Sequence, residues 1–497
     1  MPRPGTQIDI VDDAPFGGAV LDSGQAFFVG VTERGPVGDY ARVQSLTQYA
    51  ATYGARSGGS LMYDSVGAYF AEGGAELIVS RASGANAAAA TIAFGSATAN
   101  ASSPGSWGDD VSVDAVAPTT LAERVAAQRG LWRREQGDPR AAGDPVVVTV
   151  SYDGDVVERS TTLTSVDELV LWAQEHSDYV RFVKGADNVL PAAGTSATLA
   201  GGADDNAVDA TTIDAALDVL AYELGPGQVC APGLTASTTH AALLAHAEKC
   251  RRNALLDLPD TSDPLVLSAA VAALEGIDGV RFAAAFAPWV VYPAQTSPAT
   301  VEVPYSGVQA GLIARSDAAT NNPNVPAAGA NGISRMALGL TQTYSDDVRE
   351  ALNASGVDVA IVKYGDVRTY GYRSASGPDD PNYLWFGGAR ELNALAHESD
   401  AIAENYVLRQ IDGQGSLFAS LHSDLKGTCL EHYRRGALYG TTPDEAFAVD
   451  TGSSVNTPET IAAGEVHAVI RVKTSPAAEW VQISIVKVPI ERSLATA

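Results

Sequence analysis

QVCAPGLTASTTHAALLAHAEKCRRNALLDL, residues 228–258, places a long Ala- and Leu-rich stretch between two short apolar runs. The runs QVCAP and ALLDL (254–258) predict β-strands, and residues 238–252 between them predict a helix. Two strands joined by a helix of this length run parallel, through a right-handed crossover. The pattern continues on both sides. Upstream, TTIDAALDVLAYELG places Ile213, Leu217, Leu220 and Leu224 on one helical face, with Thr211 and Asp214 suited to a capping box. Downstream come a helix over 263–275 and a strand at VRFAAAF (280–286). Nearer the start, QAFFVGVTE (25–33) and ELIVSR (76–81) read as buried strands. SLTQYAATYG between them reads as a short helix from an N-cap at Ser45 to a stop at Gly54. Alternating strands and helices of this kind predict an α/β domain with a partly parallel sheet.

The remaining segments read differently. Residues 95–200 carry strand-like runs at 111–116, 146–152 and 156–163, which predicts an inserted β-rich module. Within it, 118–145 reads as a mobile loop with RREQGDPRAAGD at its tip. Residues 288–335, irregular and rich in Pro, Gly and Asn, read as a domain boundary or a long ordered connection. DVAIVKYG and VRTYGYRS then form a hairpin pair, followed by helices over 389–411 and 416–435 and a strand in GEVHAVIRVK (464–473). The second helix carries Leu417, Leu421, Leu425 and Cys429 at i, i+4 spacing. Residues 1–22 read as extended, and EWVQISIVKVPIERSLATA (479–497) alternates like a strand through Val481, Ile483 and Ile485. The expected fold class is therefore multidomain, α/β and α+β. It comprises an extended arm at 1–22, a discontinuous middle α/β domain (23–95 and 201–345), a β-rich outer insert (96–200), a C-terminal α+β domain (346–479) and an arm strand at 480–497.

Acidic residues outnumber basic ones by 59 to 32, for a net charge of −27. Phosphate contacts need a basic face, so direct nucleic-acid binding is not expected. Three scattered cysteines, Cys230, Cys250 and Cys429, fit a reducing compartment and no disulfide framework. MPRPGTQIDIVDD lacks the apolar core of a signal peptide. Residues 82–108 are uncharged but rich in Ala, Ser and Gly, and 282–301 are broken by Pro288, Pro293 and Pro298, so membrane insertion is not expected either.

No phosphate loop, H-E-x-x-H or G-x-S-x-G motif is present. Asp257, Asp260 and Asp263 follow a strand of the α/β sheet, where open sheets place their ligands. As a Mg²⁺ site they would make the chain a metal-dependent α/β hydrolase. The simpler reading has Asp263 capping the next helix with Pro264 at N1, and the other two solvating a loop. The pairs His246/Cys250 and Cys429/His432 read as buried thiols beside partly exposed histidines. Lys426, Arg434 and Arg435 cluster near a helix end with only Glu431 between them. They suit either a helix C-terminus or docking on an acidic partner. A third reading makes the 96–200 insert a surface adhesion module.

Taken in order, several segments resemble the tail sheath proteins of contractile phage tails and contractile injection systems. These are AFFVGVTERGPVGDYARVQSLTQYAATYG, VGAYFAEGGAELIVSRA with Gly73, Gly74 and Arg81, SPGSWGDDVSV, LAGGADD, the 229–259 unit, APWVVYP, VPYSGVQAGLIARSD, VPAAG, ALNASGVDVAIVKYGDVRTYGYRS, HYRRGALYGTTPDEAFAVD and AAEWVQISI. DPNYLWFGGARELN, around Arg390, and NNPNVPAAGANG, around Asn324, differ from the family's usual pattern. The resemblance implies a structural protein with no enzymatic activity and no cofactor. It implies stacked hexameric rings of this chain around an inner tube, contracting to drive the tube through a cell envelope. Partners would be further copies of the chain, the tail tube protein, and baseplate and tail terminator proteins. The arms would add strands to neighbours' sheets through Ile8, Ile10, Val481, Ile483 and Ile485, onto a receiving sheet including 357–373 and 464–473. Lys426, Arg434 and Arg435 would dock on the tube. The location would be a virion tail assembled in the host cytoplasm, or a cytoplasmic bacterial injection apparatus.

Overall fold

Gln228–Cys230 and Asn253–Asp257 pair in parallel, with Val229 opposite Ala254, and the helix Ser237–Cys250 crosses between them. They form the middle of an eight-stranded sheet in a computed structural model that describes residues 23–57, 59–136, 144–295, 299–377 and 380–483. Across the sheet the strands run Asp366–Thr369, Val357–Lys363, Ala283–Ala287, Asn253–Asp257, Gln228–Cys230, Ala26–Gly30, Leu77–Arg81 and Tyr40–Val43. The inner pairings are all parallel, and only the strand at each edge is antiparallel to its neighbour.

Alternation along these strands explains why they read as unbroken apolar runs. Phe27, Val29, Ala254, Leu256 and Ala285 join one buried cluster, which includes Leu217, Leu243 and Leu267 from helices on that face. Ala26, Phe28, Leu255, Ala284 and Phe286 join the other, with Tyr49, Val66, Tyr69 and Leu312. On this second face the helices Met62–Glu72 and Tyr305–Thr320 touch closely, and glycine permits it. A Cβ on Gly311 would stand 2.6 Å from the Tyr69 carbonyl oxygen, and one on Gly307 2.9 Å from that of Ser65.

Ser45 caps its helix by accepting from the Gln48 amide, and Gly54 ends it. The capping box near 211 shifts by two residues: Asp209 and Thr212 make it, at the start of Ala210–Asp218. Two segments read without strands or helices contain them. Residues 288–335 contain the hairpin Val290–Pro293/Thr300–Val303 and the helix Tyr305–Thr320. That helix is buried almost all round, so it shows no amphipathic period. The stretch expected as a mobile loop contains the helix Leu121–Glu135, started by a Thr120/Glu123 capping box. Its only buried residue is Gly130, so the core imposes almost no apolar spacing on it. Residues 137–143 lie outside the described residues.

The bridges Ala88–Ala203 and Thr91–Ala200 close off a module with its own core, built on Phe94, Trp107, Val113, Val148 and Leu169. It holds a four-stranded and a three-stranded antiparallel sheet and, among the described residues, two α-helices. Arg34 pins it to the central sheet. The guanidinium lies 4.6 Å from the ring centre of Tyr179, 5.1 Å from Tyr152 and 5.7 Å from Trp107, while donating to the Ala51 carbonyl at 2.9 Å. Buried Arg81 donates to the Gly35 and Pro104 carbonyls at the same joint.

Candidate functional site

The three aspartates of the hydrolase reading go to three different structural tasks. Asp257 is 2% exposed and accepts from the amides of Gly233 (3.0 Å) and Ser306 (2.7 Å) and from the Ser306 hydroxyl (2.6 Å). It thus serves the first turn of Tyr305–Thr320. Burial pushes its carboxyl up to about 6, against the pull of the Ser306 and Gly233 donors. Asp260 accepts from the Thr341 hydroxyl, and Asp263 caps Pro264–Ala272 through the Leu265 amide. Among the described residues no three His, Cys, Asp or Glu side chains group as metal ligands would.

The surface that remains is C-terminal. Two helices, Phe386–Glu404 and Ser416–Arg434, pack together and are locked by His432. Its Nδ1 lies 2.5 Å from Glu391 and its Nε2 2.9 Å from Glu398. His432 is therefore fully buried and ion-paired, not partly exposed beside Cys429. His246 is buried too, with Nε2 2.9 Å from Arg252, and burial followed by that cation pushes it down to about 3.

Burial alone would lower the pKa of His432, but the two glutamates together push it up to about 10. A folded value above the unfolded ~6.5 stabilises the fold fully below pH ~6.5, and that stabilisation is lost as pH rises through about 10. His432→Gln should therefore cost a few kcal/mol, about 3, at pH 7. The penalty should shrink toward pH 10, as read from urea midpoints at both pH values. An equal penalty at both would show that His432 is not held charged.

On the outer side of Ser416–Arg434, Lys426 and Arg434 are exposed, and neither makes an ion pair among the described residues. Arg435 is tied to Glu431 at 3.1 Å, and its carbonyl accepts from Asn322. Nearby, Phe447–Asp450 and Val469–Val472 form a two-stranded antiparallel sheet of their own. The expected receiving sheet is thus two separate structures, because 357–363 and 366–369 belong to the central sheet. Pairing with the Val469–Val472 strand continues past it, with Tyr439 N donating to Lys473 O and Ser475 N to Ala437 O.

Asn324 and Arg390 both work inside the chain. Asn324 Nδ2 holds the Ala437 and Ser475 carbonyls at 2.8 and 2.9 Å. Arg390 is paired with Asp317 at 2.5 Å, both buried, and donates to Pro323 O at 2.7 Å. Beyond Glu479, Trp480, Val481 and Ile483 are 83%, 73% and 79% exposed and belong to no strand. Ile8, Ile10 and Ile485 lie outside the described residues. Sequence reasoning missed Asp317 and also Arg373, which pairs with Glu479 at 2.6 Å, because no local pattern marks a charge whose partner is far along the chain.

No protein-family model and no curated protein matches this sequence. Solved structures do. The sheath tail protein of Listeria innocua aligns with a TM-score of 0.60 at 12% identity, over 87% of this chain and 89% of that one. The sheath tail protein of Desulfitobacterium hafniense gives 0.58 at 14%, over 90% and 93%. The helical sheath of the anti-feeding prophage, solved in its contracted state, gives 0.57 at 13%, over 98% and 99%. This chain has the fold of contractile sheath proteins. In this sheath fold, no described helix is long and apolar enough to cross a membrane.

Proposed function

We propose that the chain is a structural subunit of a contractile sheath, polymerising as stacked hexameric rings around an inner tube and shortening to drive that tube through a cell envelope. What carries this reading is the near end-to-end match to a helical sheath, covering 98% of this chain and 99% of the other. The C-terminal surface suits strand exchange. A two-stranded sheet is marginal alone, and neither Phe447–Asp450 nor Val469–Val472 has a second strand neighbour among the described residues. Arms from neighbouring copies, 480–497 and 1–22, would fill those edges by main-chain hydrogen bonds. Such contacts are heterologous and build open helical arrays. Contraction then repacks subunits between two lattice arrangements, the extended one held by a kinetic barrier.

Lys426 and Arg434 are the better candidates for the tube surface, since Arg435 is already neutralised by Glu431. Tail tube, baseplate and tail terminator proteins are the remaining partners. Purified full-length chain should form tubes or ring stacks in negative-stain images. A chain that stays monomeric across protein and salt concentration, with and without its tube protein, would refute the assignment.

A further inference from the structure

We infer that the adjacent residues Tyr372 and Arg373 couple the roots of the two arms to each other inside one subunit. This rests on the sheath reading for its purpose, but the coupling itself is a property of the single chain. Ser23 is the first described residue after 1–22. Its hydroxyl donates to Asp317 at 2.7 Å, and its carbonyl accepts from Gln228 at 2.7 Å and from Arg390 at 3.3 Å. Glu479 stands immediately before 480–497. Arg373 grips it through both carboxylate oxygens, at 3.0 and 2.6 Å, and Asn353 Nδ2 donates to it at 2.7 Å. Two-point Arg–carboxylate contacts fix orientation as well as distance.

These two clamps, from opposite ends of the sequence, meet on one peptide unit. Tyr372 is buried, with its ring edge-on to Phe386 at 5.3 Å and its hydroxyl 3.4 Å from Arg390. Phe386 and Arg390 are one turn apart on the same helix. Arg373 bridges Trp385, the residue capping that helix, and its own amide donates to buried Asp358 at 2.9 Å. In an extended segment successive side chains point to opposite sides, so Tyr372 faces the N-terminal root while Arg373 faces the C-terminal one. A pull on Glu479 is therefore passed through Arg373, Tyr372 and the Phe386–Arg390 turn to Ser23. One subunit then links its neighbours in series through a short path at the edge of its core, where Tyr372 and Phe386 pack.

The test uses the full-length soluble subunit, its Glu479→Arg variant, and the reversed pair Arg373→Glu/Glu479→Arg, compared by hydrogen exchange. Glu479→Arg should melt near the parent, because the pair is partly exposed. It should nevertheless speed amide exchange about tenfold at residues 23–27 as well as around Asn353 and Arg373, and the reversed pair should restore both. Faster exchange near Asn353 and Arg373 with residues 23–27 unchanged would overturn the coupling. Tubes formed by the parent are scored separately. Parent protein that shows coupled exchange but makes no tubes would refute the sheath assignment and leave the coupling standing.

Discussion

Arg390→Met should lower the stability of the subunit by about 3–5 kcal/mol, the largest single-residue effect expected outside the sheet core. The substitution leaves the Asp317 carboxylate buried without its cation. It also strips a donor from the carbonyls of Pro323 and Ser23. Volume is nearly kept, so the loss reports charge and hydrogen bonding rather than a cavity. Arg390→Lys should recover only part of it, because one ammonium cannot reproduce a fork that reaches Asp317, Pro323 and Ser23 together. The double variant Arg390→Met/Asp317→Leu should lose clearly less than Arg390→Met alone, since no unpaired charge then remains buried. Urea unfolding of the three variants checks this. A double variant as unstable as the single one would show that packing, not the ion pair, carries the effect.

On the proposed sheath role, removing residues 480–497 should abolish polymerisation while leaving the subunit folded. The described part of that segment gives no core contact to lose: Trp480, Val481 and Ile483 are largely exposed. Its melting transition should stay within a few degrees of the full chain. Tubes, by contrast, should fall from the dominant species to none, because each subunit loses the main-chain bonds it would make with a neighbour. Truncated protein that builds sheaths of normal length and regularity would eliminate strand exchange through this segment. The cut is placed after Glu479 so that the Arg373 clamp survives and the result reports the arm rather than its root.

Much of the fold was legible from local pattern. The parallel strands at 26–30, 77–81, 228–230 and 253–257 were marked by apolar runs, and Ser45, Gly54 and Asp263 were readable as caps. Where local pattern misled, a physical cause is visible. Tyr305–Thr320 is buried on nearly every side and so has no polar face to give it a period. Leu121–Glu135 is exposed on nearly every side and so has no apolar face. Both lack the contrast that periodicity detects. The strands 357–363 and 469–472 read alike as candidate acceptors. Only tertiary pairing sent the first to the edge region of the central sheet and the second to a sheet of its own.

The site was less legible than the fold. Lys426, Arg434 and Arg435 were picked out together by spacing, yet only the folded chain separates Arg435, spent on Glu431, from the two that stay unpaired among the described residues. Asp257 looked as available as Asp260 until its three donors were seen to close around it. The sequence by itself determined where the inner strands of the central sheet and the helices flanking them form, and that this sheet is partly parallel, because those depend on neighbours a few residues apart. The tertiary structure alone decided which charges meet. Arg373 with Glu479, Arg390 with Asp317 and His432 with Glu391 are pairs across long stretches of chain, and a charge carries no local mark of the partner that folding will bring to it.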